Sequence, residues 1–283
     1  MFSPHYYRAR KRSAYPDPAR HCGFNLALYS RGKNAWVFTE HHPSAIHRSE
    51  EAFVIGDSVV RWDGDALVAR VEERTAVLGQ RVSGEIRLHP HNCFQHPVAL
   101  DPNGRHHWWA VAPHARVELK LDRPGLKFSG SGYHDTNFGR EPLEAGFQDW
   151  SWSRAELEEG AAILYDARPR AGEGEASMIQ RGFLFRQNGE LDALEAPREL
   201  TLPNTRWGIA RPTRCDALGE ASADEVRVLR DLEDTPFYSR SLIQTRLRGQ
   251  SVRAVHESLS LDRFDTRWVQ LMLPFRLRRG RRQ

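Results

Sequence analysis

From Ala115 to Tyr133 the chain reads ARVELKLDRPGLKFSGSGY, and this run of alternation around a single turn constrains the fold more than any other stretch. Val117, Leu119 and Leu121 share one face of an extended chain and Arg116, Glu118 and Lys120 the other, because side chains alternate with a period of two. That is a half-buried strand. Asp122–Gly125 carries turn chemistry, so Leu126–Tyr133 is expected to fold back as the second arm of a hairpin. The same grammar recurs: Val59–Trp62 and Ala66–Val71 flank WDGD, Ser151–Leu157 and Ala161–Asp166 flank EEG, and Gly182–Arg186 and Glu190–Leu194 flank QNG. Arg81–Leu88, Val226–Arg230, Ser239–Arg248, Ser251–Leu261 and Arg267–Phe275 read as further strands, and Pro169–Ala176, rich in Gly and charge, as a linker. No helix longer than about three turns is expected. The spacing predicts an all-β chain that closes its edges as barrels or sandwiches.

A length of 283 residues allows one large or two modest domains. The cysteines, Cys22, Cys93 and Cys215, are odd in number and far apart, which points to reduced thiols and a cytoplasmic setting. Met1–Arg20 has charges and prolines but no apolar core, so no signal peptide is expected. The apolar run Trp268–Pro274 is far short of the ~20 residues needed to span a bilayer. HPHNCFQH places His89, His91, Cys93 and His96 together, yet their spacing fits no closed zinc template, and no metal site is expected.

The net charge of +4 is uneven: Arg8, Arg10, Lys11 and Arg12 crowd the start and Arg276, Arg278, Arg279, Arg281 and Arg282 the end. Such clusters suit anionic lipid headgroups, at about 1 kcal/mol per basic residue. Solvated ends are the alternative. No nucleic-acid motif accompanies them, so no nucleic-acid partner is expected.

Two short patterns carry chemistry. In SGSGYHDTNFG, Tyr133 and Asp135 point the same way and His134 the other. In GRHHWWAVAP, His106 and Trp108 share one face, His107 and Trp109 the opposite one. Across the hairpin one of these His–Trp pairs meets Tyr133 and Asp135, and register decides which.

The segments FSPHYYRAR, VVRWDGD, DPNGRHHWWAVAPHARVEL, GSGYHDTNFGREPLE, DWSWSRAEL, LEDTPFYSRS and ESLSLDRFDTRWVQLMLPFR follow one another in this order. On them the chain resembles, over most of its length, the acyclic carotenoid 1,2-hydratases, also called hydroxyneurosporene synthases. The resemblance implies two tandem lipocalin-like β units with a deep apolar pocket, divided near residue 145 into 1–145, which carries both motifs, and 146–283. It implies addition of water, without a cofactor, across the terminal C1,2 double bond of an acyclic carotenoid such as neurosporene or lycopene, in carotenoid biosynthesis. It also implies roles for an H-x-W and a Y-x-D motif, here His106, Trp108, Tyr133 and Asp135. Longer members have an aromatic-rich strand before the segment that begins FSPHYYRAR.

That reaction needs an acid able to protonate an alkene to a tertiary cation, and Asp135 is the candidate. An apolar pocket raises a carboxyl pKa by up to ~3–5 units and keeps the proton in place near neutrality. Trp108 and Tyr133 face the developing cation, each ring contributing roughly 0.5–2 kcal/mol. His106 orients the attacking water and accepts its proton. Trp150, Trp152, Phe237 and Tyr238 are candidates for the pocket wall, with core packing as the competing reading. A lipid-dissolved polyene would place the protein peripherally on the cytoplasmic side of the inner, photosynthetic membrane. Two other classes remain: a non-catalytic carrier of apolar ligands, and another cofactor-free cyclase or hydrolase, although no G-x-S-x-G elbow is present.

Overall fold

The computed structural model describes residues 3–13, 16–30, 32, 34–170, 177–216 and 225–280. Arg281, Arg282 and positions 171–176 of the expected linker lie outside the described residues. With 59% strand against 13% helix, the all-β expectation holds. The hairpins form where their turns place them. Ser58–Asp63 pairs antiparallel with Ala66–Arg74 around Gly64 at φ +63°, and Phe147–Leu157 with Gly160–Pro169.

One expected strand is a helix. Arg267–Met272 is α-helical and Leu273–Arg276 continues as a 3₁₀ turn. The apolar residues here recur at Trp268, Leu271, Met272 and Phe275, a spacing of i, i+3, i+4, i+7 that suits a helix. Val269, fully buried, holds the segment down from its other face. A second short helix, Pro4–Arg12, starts with Ser3 accepting from the His5 and Tyr6 backbone N–H groups and Pro4 in the first turn, where its missing N–H costs nothing.

The chain divides into two compact units, each discontinuous in sequence: residues 1–90, 115–133 and 270–283 form one, and 91–114 and 134–269 the other. The strands His106–Arg123 and Leu126–Gly139 contribute to both.

In the first unit the strands from Ile46 to Pro90 form successive antiparallel pairs, and Ser83–Pro90 pairs with Ala115–Arg123. Its core gathers Leu28, Val37, Val71, Val82 and Leu121. Pairing shifts register between Ser83 and Gly84. Gly84 sits there at φ +144°, and a Cβ would lie 2.2 Å from the Lys120 carbonyl oxygen, so only glycine fits the bulge.

The second unit is built on a seven-stranded antiparallel sheet in the order Leu191–Ala193, Ile179–Arg186, Gly160–Pro169, Phe147–Leu157, Gln250–Ser260, Tyr238–Leu247, Arg227–Asp234. One face buries Ala155, Leu164, Leu184, Ile243 and Ala254 beneath Leu202 and Cys215 of the hairpin Arg198–Leu202/Arg211–Cys215. Polar groups share that face. Arg214 donates to both carboxylate oxygens of Asp166 at 2.6 to 3.0 Å, and His256 pairs through Nε2 with the Pro212 carbonyl at 2.9 Å. Burial drives the His256 pKa down to about 4, so it is neutral at pH 7 and that Nε2 is the protonated nitrogen. His91 of the HPHNCFQH stretch stacks on His114 at 4.3 Å, and among the described residues no group of three potential ligands is placed to hold a metal.

Candidate active site

The opposite face of this sheet is where the motif residues converge. Cross-strand pairing sets Arg240, Glu257, Trp152, Tyr165 and Arg181 side by side in one row. A neighbouring row holds Tyr238, Leu259, Trp150 and Ala167. Residues directly opposite in a sheet share a face, so these rows form one wall.

Trp108, with no solvent exposure, lies against that wall: its ring is 5.6 Å from Tyr165, 5.3 Å from Phe183 and 6.4 Å from Phe185. Its indole Nε1–H donates to Asp135 Oδ2 at 2.8 Å. The alternative register is thereby occupied otherwise: Trp109 donates to the Phe94 carbonyl at 2.6 Å, and His107 stacks on Phe138 at 5.1 Å. Tyr133 is half-buried on the same strand as Asp135, two residues earlier.

His106 is buried, but its ring is directed to Glu141, with Nε2 3.2 Å from Oε1, and it packs on Phe147 at 4.9 Å. Two glycines make room for it. A Cβ at Gly146 would lie 2.6 Å from His106 Nε2, and one at Gly139 3.0 Å from Nδ1. No hydrogen bond joins His106 to Asp135; the H-x-W motif thus splits, Trp108 on the acid and His106 on Glu141.

Of the aromatics expected to wall the site, Trp150 stacks on Tyr165 at 5.9 Å, and Trp152 sits between Glu257 and Tyr165 in its row. Tyr238 stands in the neighbouring row beside Glu257, and Arg240 lies 5.7 Å from its ring. Phe237 packs on Phe264 at 5.2 Å.

Glu257 and Tyr165 were not among the residues expected from the sequence. Glu257 carries little signal in the sequence: Val255 and Leu259 share its strand face, but so does Arg253. Its carboxylate, 16% exposed, accepts from Arg240 Nε at 2.8 Å. Burial pushes its pKa up against the pull of Arg240 and Tyr238, and the charge of Asp135 pushes the same way. Burial, with the charges of Asp135 and Glu257, also raises the Tyr165 phenol far above its ordinary value, so it stays neutral. Both carboxyls therefore act electrostatically on one ring. A cavity of about 520 Å³ elsewhere in this unit, lined by Glu195, Asp216 and Arg248 among others, includes none of these residues, and its polar lining does not suit a polyene.

A carboxyl held by an indole N–H inside an aromatic cluster, with a second carboxyl beside it, is equipped to give and take protons next to an apolar substrate. Comparison with known proteins shows the family. Residues 1–283, the whole chain, match the family model described as carotenoid hydratase CrtC. The chain belongs to the CrtC family. An acyclic carotenoid 1,2-hydratase of Thiocapsa roseopersicina is 46% identical over 99% of this chain and 67% of its own length. The protein of the same name from Cereibacter sphaeroides is 33% identical over 99% of this chain and 95% of its own. Among solved structures, the crystal structure of CghA with Sch210972 matches with a TM-score of 0.53 at 9% identity, covering 85% of this chain and 79% of that one. That likeness is one of fold alone, and it makes this CrtC chain lipocalin-like.

Proposed function

We propose that this CrtC chain hydrates the C1,2 double bond of an acyclic carotenoid, with Asp135 as the proton donor. The observation that carries the reading is the 2.8 Å bond from Trp108 Nε1 to Asp135 Oδ2. The indole is a neutral donor that a protonated carboxyl retains, and the buried ring beside it offers a π face to the cation. Protonation at C2 puts the positive charge on C1, the more substituted carbon, and water adds there. His106, held by Glu141, fixes the start of the strand that delivers Trp108. The test is incubation with neurosporene or lycopene in membranes, followed by chromatography for the hydroxylated product. Retention of pigment without product would make the protein a carrier.

The protein meets its substrate from the membrane surface, on the cytoplasmic side. Support comes from the Arg267–Arg276 segment, where Leu271 is 68% and Phe275 77% exposed, with Trp268 and Met272 on the same helical stripe. Arg267, Arg276, Arg278 and Arg279 flank the stripe, and Trp207 stacks on Trp268 at 6.1 Å. Apolar anchors beside cations suit the interface of an anionic bilayer.

A further inference from the structure

We infer that Glu257 is a second catalytic carboxyl, which holds the attacking water with the Trp150 indole N–H and takes its proton. This rests on the hydratase reading and adds a step to it: the fate of the cation once Asp135 has made it.

Three observations converge. The first is position: Glu257 is next to Trp152 and two strands from Tyr165 in one cross-strand row, roughly 10 Å at ~4.8 Å per strand, on the face that Trp108 and its partner Asp135 cover. The second is preparation. Arg240 Nε fixes the carboxylate, and Arg240 lies 5.7 Å from the Tyr238 ring, so both flank Glu257. Arg240 Nε donates to Oε1 at 2.8 Å. Burial raises the proton affinity of Glu257, as suits a base. The third is an orphan. Trp150 Nε1 is buried and has no partner among the described residues, although Trp150 stacks on Tyr165 within this cluster. A buried indole N–H ordinarily finds an acceptor, and a water oxygen satisfies it.

The proton balance closes. The Asp135 O–H bond breaks as the π pair forms C2–H; the water oxygen bonds to C1; its proton passes to Glu257, which releases it to solvent as solvent returns one to Asp135. Alkene and water become alcohol.

The prediction is a change in partition. Without a base to draw the water in, the cation loses a proton from carbon and returns to an alkene. In D₂O, Glu257→Gln should lose about a hundredfold or more in hydration, the low end of general-base effects, yet return substrate carrying deuterium at the terminal isoprene unit. Asp135→Asn, which cannot form the cation, should neither hydrate the substrate nor exchange deuterium into it. Trp150→Phe should shift the partition in the same direction to a smaller extent, and it decides the matter if Glu257→Gln does not fold. Wild-type hydration by Glu257→Gln, or loss of both hydration and exchange in a variant with unchanged melting temperature, would overturn the role of Glu257. A wild-type protein that yields neither alcohol nor deuterated substrate would overturn the hydratase reading itself.

Discussion

Trp108 and Asp135 are joined through a single N–H···O bond of 2.8 Å, and the indole that makes it is shut off from solvent by Tyr165, Phe183 and Phe185. A carboxyl so placed has one oxygen tied to a donor that does not titrate.

Replacing Asp135 by Asn keeps an acceptor for Trp108 but removes the acidic proton. Hydration should fall more than a hundredfold, about 2.7 kcal/mol of barrier or more. Melting temperature and pigment binding should stay near wild type. Turnover close to normal in this variant would show that the proton comes from elsewhere.

The two tryptophans of the doublet should part company. Trp108→Phe removes the neutral hydrogen bond to Asp135, about 0.5–1.5 kcal/mol, and should reduce turnover accordingly. Trp109→Phe loses its bond to the Phe94 carbonyl and should lower stability with turnover per folded molecule preserved. Activity measured beside thermal melts for both variants separates the two effects.

His256 gives a pH dependence of stability. Its folded pKa is near 4, below the unfolded value of about 6.5, so on acidification the unfolded chain binds a proton first. Stability is full above pH ~6.5 and should decline as pH falls towards 4, by up to about 3 kcal/mol. Urea titrations at pH 7 and pH 5, compared with those of His256→Gln, should show a smaller decline in the variant.

Leu271→Ser with Phe275→Ser should weaken sedimentation with anionic liposomes while leaving the fold unchanged, since both side chains are exposed. High salt should weaken binding further as the Debye length shortens from ~10 Å at 0.1 M to ~3 Å at 1 M. Binding unaffected by both would place membrane contact elsewhere.

The alternation that marks Ala115–Leu121 and Ser239–Leu259 is a local, period-two signal, so the strands were legible. Arg267–Phe275 was not, because a short apolar segment matches both periods and only burial of Val269 with exposure of Leu271 and Phe275 tells them apart. Asp135 was legible as a lone acid in an aromatic, glycine-rich strand. Glu257 was not, because its neighbours in space, Trp152 and Tyr165, stand on two other strands and come together only through pairing. His106 illustrates the same limit: its adjacency to Trp108 in sequence said nothing of Glu141, which claims its ring.

Asp166 and Tyr165 are consecutive, yet one belongs to the buried ion pair with Arg214 and the other to the wall beneath Trp108. A mutational scan read by yield of hydroxylated product alone would therefore score both positions as equally essential. One loss would travel through the sheet as damaged architecture, and the other would occur at the reacting face. Only a count of folded molecules would separate the scaffold from the chemistry it supports.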